Sequence, residues 1–171
     1  AGCGPFATQL LPLLTRFNSG ELEVQLLDIH QQSLDSVSQL LRYFELDHHA
    51  VTLSCANACN YQHPNALHII IAETMQKSLE QEPQFAVTAQ LAPQLCDGGV
   101  FIPQRIDVQL CLAHLEHEQQ RWQHGEDIDP KALQAAGERY PLVDLFTLQA
   151  AQAREQLKTA HYNGVSDKME I

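Results

Sequence analysis

The sequence predicts an α/β fold, a doubly wound sheet of parallel strands with helices on both faces. Three observations carry this. Strand-like runs alternate with helix-like runs, the order that builds parallel sheets through crossover helices. The strand-like runs are largely apolar, as expected of strands covered on both sides. The 171 residues, 44% of them apolar, suffice for one ordinary domain with a packed core.

The elements follow in order. Residues 7–17 (ATQLLPLLTRF) place Leu10, Leu11, Leu13, Leu14 and Phe17 at helical spacing, while Pro12 leaves the start of the helix open. Asn18-Ser19-Gly20 stops it. Residues 22–28 read as a strand ending at Asp28. Residues 31–45 put Leu34, Val37, Leu40, Leu41 and Phe44 on one face of an amphipathic helix. Residues 50–55 form a short strand and residues 56–66 a polar loop. Residues 67–72 (LHIIIA) are the clearest buried strand of the chain. Residues 76–95 read as helix broken at Pro83 and Pro93, and Asp97-Gly98-Gly99 as a turn. Residues 100–102 and 105–115 are two strands with a break at Pro103. Residues 116–141 read as loop with a short helix near 130–137, and residues 148–160 as helix.

Composition excludes some functions. Ten basic against 21 acidic residues give a net charge of −11. That argues against a free-standing nucleic-acid binder, which needs a basic face for the phosphates. No run approaches the ~18 consecutive apolar residues of a membrane span. The first residues carry neither the basic start nor the apolar run of a signal peptide. Five cysteines, at 3, 55, 59, 96 and 111, are odd in number, and Cys55, Cys96 and Cys111 fall in strands or at their ends. Buried thiols in a reducing, cytoplasmic setting are expected, not a disulfide framework. Asp47-His48-His49, His114 with His117, and Cys55 with Cys59 lack full ligand sets, so no metal site is expected.

In a doubly wound sheet ligands bind beyond the carboxyl ends of the strands, so the loops there carry the chemistry. Gly2-Cys3-Gly4-Pro5-Phe6-Ala7 stands directly before a helix. Gly2 and Gly4 let the backbone approach a ligand closely, and the helix start offers free N–H groups. Asp28 closes the next strand, where an acid can accept both hydroxyls of a ribose. Glycine turn plus acid is the signature of an adenosine-type cofactor, and by itself it does not separate a dinucleotide from S-adenosylmethionine. Ala7 replaces the third glycine of the dinucleotide fingerprint.

Gly-Cys-Gly-Pro resembles motif I of the class I S-adenosylmethionine-dependent methyltransferases. The resemblance implies their Rossmann-like sheet, whose central first strand precedes the glycine turn and is missing from this sequence. It also implies a place beside the adenine for Asn57 and Ala58, although the family often has an acidic residue here. After the strand 67–72, Glu73 and Met75 are followed by Glu82, nine residues beyond Glu73, and by Leu95, Gly98, Gly99, Ile102 and Pro103. This pattern resembles the protein arginine methyltransferases across roughly residues 1–115, with only a faint echo over 116–145. By that resemblance Glu73 and Glu82 are the paired carboxylates that grip a guanidinium fork and aim one nitrogen at the methyl group. Thr74 departs from the family, which has an aromatic between Glu and Met.

The sequence thus reads as a methyltransferase core over 1–115 and a helical or irregular extension over 116–171, the possible start of a truncated further domain. A fragment of a longer enzyme is favoured over a compact relative, because a sheet lacking its central strand exposes apolar edges. The expected cofactor is S-adenosylmethionine and the expected partner a methyl acceptor, with no nucleic acid or membrane partner. The family tends to form homodimers, but the arm used for this is not in the sequence. A small-molecule acceptor, a non-catalytic interaction module and an NAD-type dehydrogenase are the alternatives, the last without residues for hydride chemistry.

Overall fold

The computed structural model describes residues 5–18, 20–46, 50–75, 83–126, 129–153 and 155–156. The fold is mixed α/β, with small sheets of parallel and antiparallel strands. The chain divides into two compact units, Ala1–Arg105 with Gln149–Ile171, and Ile106–Leu148. Among the described residues no helix is long and apolar enough to cross a membrane.

The first unit opens with helix α1 (Pro5–Leu10), which tightens into a 3-10 turn over Leu11–Arg16. Pro12 falls in the first positions of that turn, where its missing N–H costs nothing. The helix expected over 7–17 is therefore two pieces, divided where the proline demands it. Strand β1 (Glu23–Asp28) pairs in parallel with β2 (Ala50–Cys55), from Glu23 opposite Ala50 to Asp28 opposite Cys55 without a slip. Between them runs helix α2 (Gln31–Tyr43), which buries Leu34, Val37 and Leu41. Val37 and Leu41 join Leu11, Leu14 and Leu46 in a core cluster, with Val24 and Leu26 of β1 and Val51 and Leu53 of β2 packed against it. The helix ends at Tyr43 and the chain turns away at Glu45, whose φ of 54° is left-handed, with Leu46 N–H reaching back to Leu41 O at 2.8 Å.

Strand β3 (Leu67–Ile71) pairs in parallel with β4 (Leu95–Ile102). Helix α3 (Gln84–Leu91) and a 3-10 turn (Ala92–Gln94) connect them. Ile70 and Phe101, opposite each other, enter a second cluster with Leu27, Ala58, Ala72, Val87 and Leu91. Strand β1 is thus packed on both faces, Val24 and Leu26 against one cluster and Leu27 within the other.

Several expectations change here. Strand β3 is buried on one face only. Ile69 is 59% exposed, and its neighbours Val100 and Ile102 are exposed on the same side. The described part of the segment expected to be helical over 76–95 is helix from Gln84 and already strand at Leu95. Asp97-Gly98-Gly99 is not a terminal turn but a bulge inside β4, where the register jumps from Leu67 opposite Leu95 to Ile69 opposite Val100. Gly98, with φ of 77°, supplies the left-handed residue that the bulge needs. Among the described residues the thiols are not fully buried either. Cys55 is exposed, and Cys59, Cys96 and Cys111 are half-buried and free.

The second unit is built on β5 (Arg105–Ala113) and β6 (Arg139–Gln149). They run antiparallel: Gln109 Nε2 donates to Asp144 Oδ1 at 2.7 Å and Thr147 Oγ1 to Asp107 Oδ1 at 2.6 Å, in reversed order along the two strands. Helices α4 (Leu115–Gln123) and α5 (Pro130–Ala135) lie between them in the chain. Helix α5 was expected. Helix α4 stands where a loop was expected, and β6 covers residues read as loop and as the start of a helix. No residue of α4 is buried, so it shows no apolar stripe. Its hold is ionic instead, through Glu118 to Arg139 and Arg121 to Glu138.

Candidate functional site

The carboxyl ends of β1, β2 and β3 meet around shared packing. Leu27 near the end of β1, Ala58 beyond β2 and Ala72 directly after β3 belong to one buried cluster, with Ala56 packed against it. Each candidate polar residue neighbours one of these anchors in the chain. Asp28 follows Leu27, Asn57 lies between Ala56 and Ala58, and Glu73 follows Ala72. Burial of small and apolar side chains therefore sets where three polar residues emerge.

Asp28 is half-buried. Its Oδ1 accepts the backbone N–H of His30 at 2.8 Å, which fixes the turn into α2. Its carbonyl accepts from Ala56 N–H at 3.0 Å and ties the exits of β1 and β2 together. Asn57 turns its Oδ1 onto the N–H of Cys59 at 2.9 Å, a local turn typical of this side chain. Its Nδ2 has no hydrogen-bond partner among the described residues and is left as a donor. Ala58 is buried, so the floor beside Asn57 is small and apolar. Burial pushes the Cys59 thiol above its ordinary value, which keeps it protonated and a poor nucleophile at neutral pH.

Glu73 is exposed at the exit of β3, and its carboxylate makes no hydrogen bond or ion pair within the described residues. It is an acceptor-only group open to a cation. Gly2, Gly4 and Glu82 lie outside the described residues. Asp28, Asn57, Ala58 and Glu73 thus each belong to, or adjoin in the chain a member of, one buried cluster of the first unit.

Sequence reasoning missed the groups that hold the loops in place. Six of the eight residues of α3 are buried, and two of them are polar, Gln84 and Thr88. Gln84 Oε1 accepts from both the backbone N–H of Thr74 at 2.9 Å and its hydroxyl at 2.7 Å. Farther along, Gln90 and Gln94 both donate to Tyr61 O, at 3.0 and 2.9 Å, and Gln94 Oε1 accepts from His63 N–H at 2.8 Å. The signal in the sequence was Gln84 and Thr88, four apart in a short, largely apolar helix. Such a pair must be satisfied if buried.

A scan against family models finds none that matches the chain, and a search of curated proteins finds no significant relative.

Proposed function

We propose that the chain is the core of an S-adenosylmethionine-dependent methyltransferase acting on a nitrogen acceptor, a protein arginine guanidinium. The carrying observation is the emergence of Asp28, Asn57 with Ala58, and Glu73 at the exits of three strands that share one core. On this reading the pairs β1–β2 and β3–β4 are flanks of one Rossmann-like sheet, and ligands occupy its carboxyl edge. The free thiols fit a reducing cytoplasm.

The residues present suit the cofactor. A half-buried carboxylate at the end of β1 suits ribose hydroxyls, Asn57 Nδ2 suits an adenine nitrogen, and Ala58 is a small apolar neighbour for the base. When bound, S-adenosylmethionine supplies an electrophilic methyl group on its sulfonium. The chain's own work is on the acceptor. Glu73 accepts N–H bonds from the guanidinium, balances its charge and orients it, so that positioning lowers the barrier. Its oxygens also offer a base for the proton that the methylated nitrogen releases. By the same reading Glu82 is the second carboxylate of the grip.

Calorimetric titration with S-adenosylhomocysteine, with NADH alongside and circular dichroism as a folding control, tests the cofactor. Binding of the former alone is expected. Glu73→Gln is then expected to abolish transfer while leaving that binding intact. Binding of NADH alone, or transfer unchanged in Glu73→Gln, would sink the reading.

A further inference from the structure

We infer that Gln84 is a positioning residue for Glu73 and acts through Thr74. The inference rests on the reading of Glu73 as the acceptor-binding carboxylate. Gln84 is fully buried, at 0% exposure, yet it faces a loop instead of the core alone. The orientation of its amide follows from its partners. The hydroxyl of Thr88 donates to the carbonyl of Gln84 at 2.7 Å, so it can only accept from the side chain, and Nε2 lies 3.2 Å from it. Oε1 is thereby turned to Thr74, where it takes two donors at once.

The N–H of Thr74 belongs to the peptide plane that follows Glu73. On the other side, the N–H of Ala72 is held by Ile102 O at 2.9 Å. That N–H belongs to the Ile71–Ala72 peptide, so the chain is pinned at the peptide before Ala72 and at the peptide after Glu73, while the Glu73 carboxylate stays exposed. An apolar side chain of similar size would fill the same space in α3, but it would orphan the Thr74 N–H and free the plane. Threonine between Glu73 and Met75 also gains a role here: its hydroxyl doubles the hold.

The test uses the whole chain and three readouts. These are S-adenosylhomocysteine affinity, methyl transfer from labelled S-adenosylmethionine to an arginine-containing peptide, and amide exchange at Thr74 by NMR. In the unaltered chain the Thr74 amide is expected to exchange slowly, and in Gln84→Leu rapidly. For transfer, kcat is expected to fall about 100-fold in Gln84→Leu and about tenfold in Thr74→Val, while Thr74→Ser stays within about twofold. S-adenosylhomocysteine affinity and the KM for S-adenosylmethionine are expected to hold in all three. A folded Gln84→Leu with an unaltered kcat, rapid Thr74 exchange in the unaltered chain, or affinity falling in step with kcat overturns the role of Gln84. If Gln84→Leu does not fold, Thr74→Val against Thr74→Ser decides the matter: equal kcat in the two overturns it. Failure of the underlying reading looks different: Glu73→Gln would then leave transfer intact, whatever the Thr74 amide does.

Discussion

Arg139 clasps Glu118 with both ends of its guanidinium, Nε to Oε1 at 3.0 Å and Nη2 to Oε2 at 2.6 Å. The pair joins α4 to the start of β6. The hydrogen bonds from Arg139 hold the Glu118 carboxyl below its usual range. A carboxylate depressed in the folded state stabilises above its unfolded value, and that contribution disappears as pH falls through the folded one. Urea denaturation between neutral pH and about pH 3 is expected to show Glu118→Gln less stable by about 0.5–1 kcal/mol at neutral pH. The two proteins should converge below the ordinary glutamate value. A constant difference across the range would contradict the assignment.

Gly99 sits in the bulge of β4, where a side chain would be crowded. A Cβ there would lie 3.0 Å from Cys96 O and from Leu95 Cδ2, and 3.1 Å from Leu67 O. Two of these atoms are backbone within a paired strand and give little. Gly99→Ala is expected to cost about 1–3 kcal/mol, read as a lower urea midpoint at unchanged slope.

Asp28→Ala removes the acceptor at the end of β1 and the cap on His30. S-adenosylhomocysteine affinity is expected to fall by about tenfold or more, the worth of a hydrogen bond to a charged group. Retained affinity in a folded Asp28→Ala would remove Asp28 from the cofactor site.

Thiol labelling separates Cys55 from Cys59. Cys55 is exposed, whereas burial raises the thiol of Cys59. With iodoacetamide near pH 8, Cys55 is expected to react first by mass mapping, and Cys59 to lag until the chain is unfolded.

The unit β1–α2–β2 was legible because its apolar spacing and its burial coincide. Leu34, Val37 and Leu41 recur at helical period and are the residues α2 buries. Strand β3 was legible as a strand but not in its burial, because Ile69 and Ile70 look alike in sequence and only Ile70 meets Phe101 in the core. Helix α4 was illegible for the opposite reason. A polar segment held by Glu118 and Arg121 leaves no apolar period to read. Asp97-Gly98-Gly99 looks the same whether it ends a strand or bulges within one. At the site, the end of a strand pointed to Asp28, and the family resemblance to Asn57 and Glu73. The partners of Gln84, Gln90 and Gln94 depended on which loop each glutamine meets across the fold, and no local pattern encodes that.

Helix α3 and the 3-10 turn that follows it reach both strand exits, Thr74 after β3 through Gln84 and Tyr61 after β2 through Gln90 and Gln94. Thr74, Tyr61 and His63, at the exits of two different strands, are thereby tied to one continuous stretch of chain when it folds. Their ordering entropy is therefore already lost before any ligand arrives, and less of the binding energy is diverted into arranging the receptor. The same linkage makes the strand exits covary: a small rotation of that stretch would shift the neighbourhoods of Tyr61 and Glu73 together.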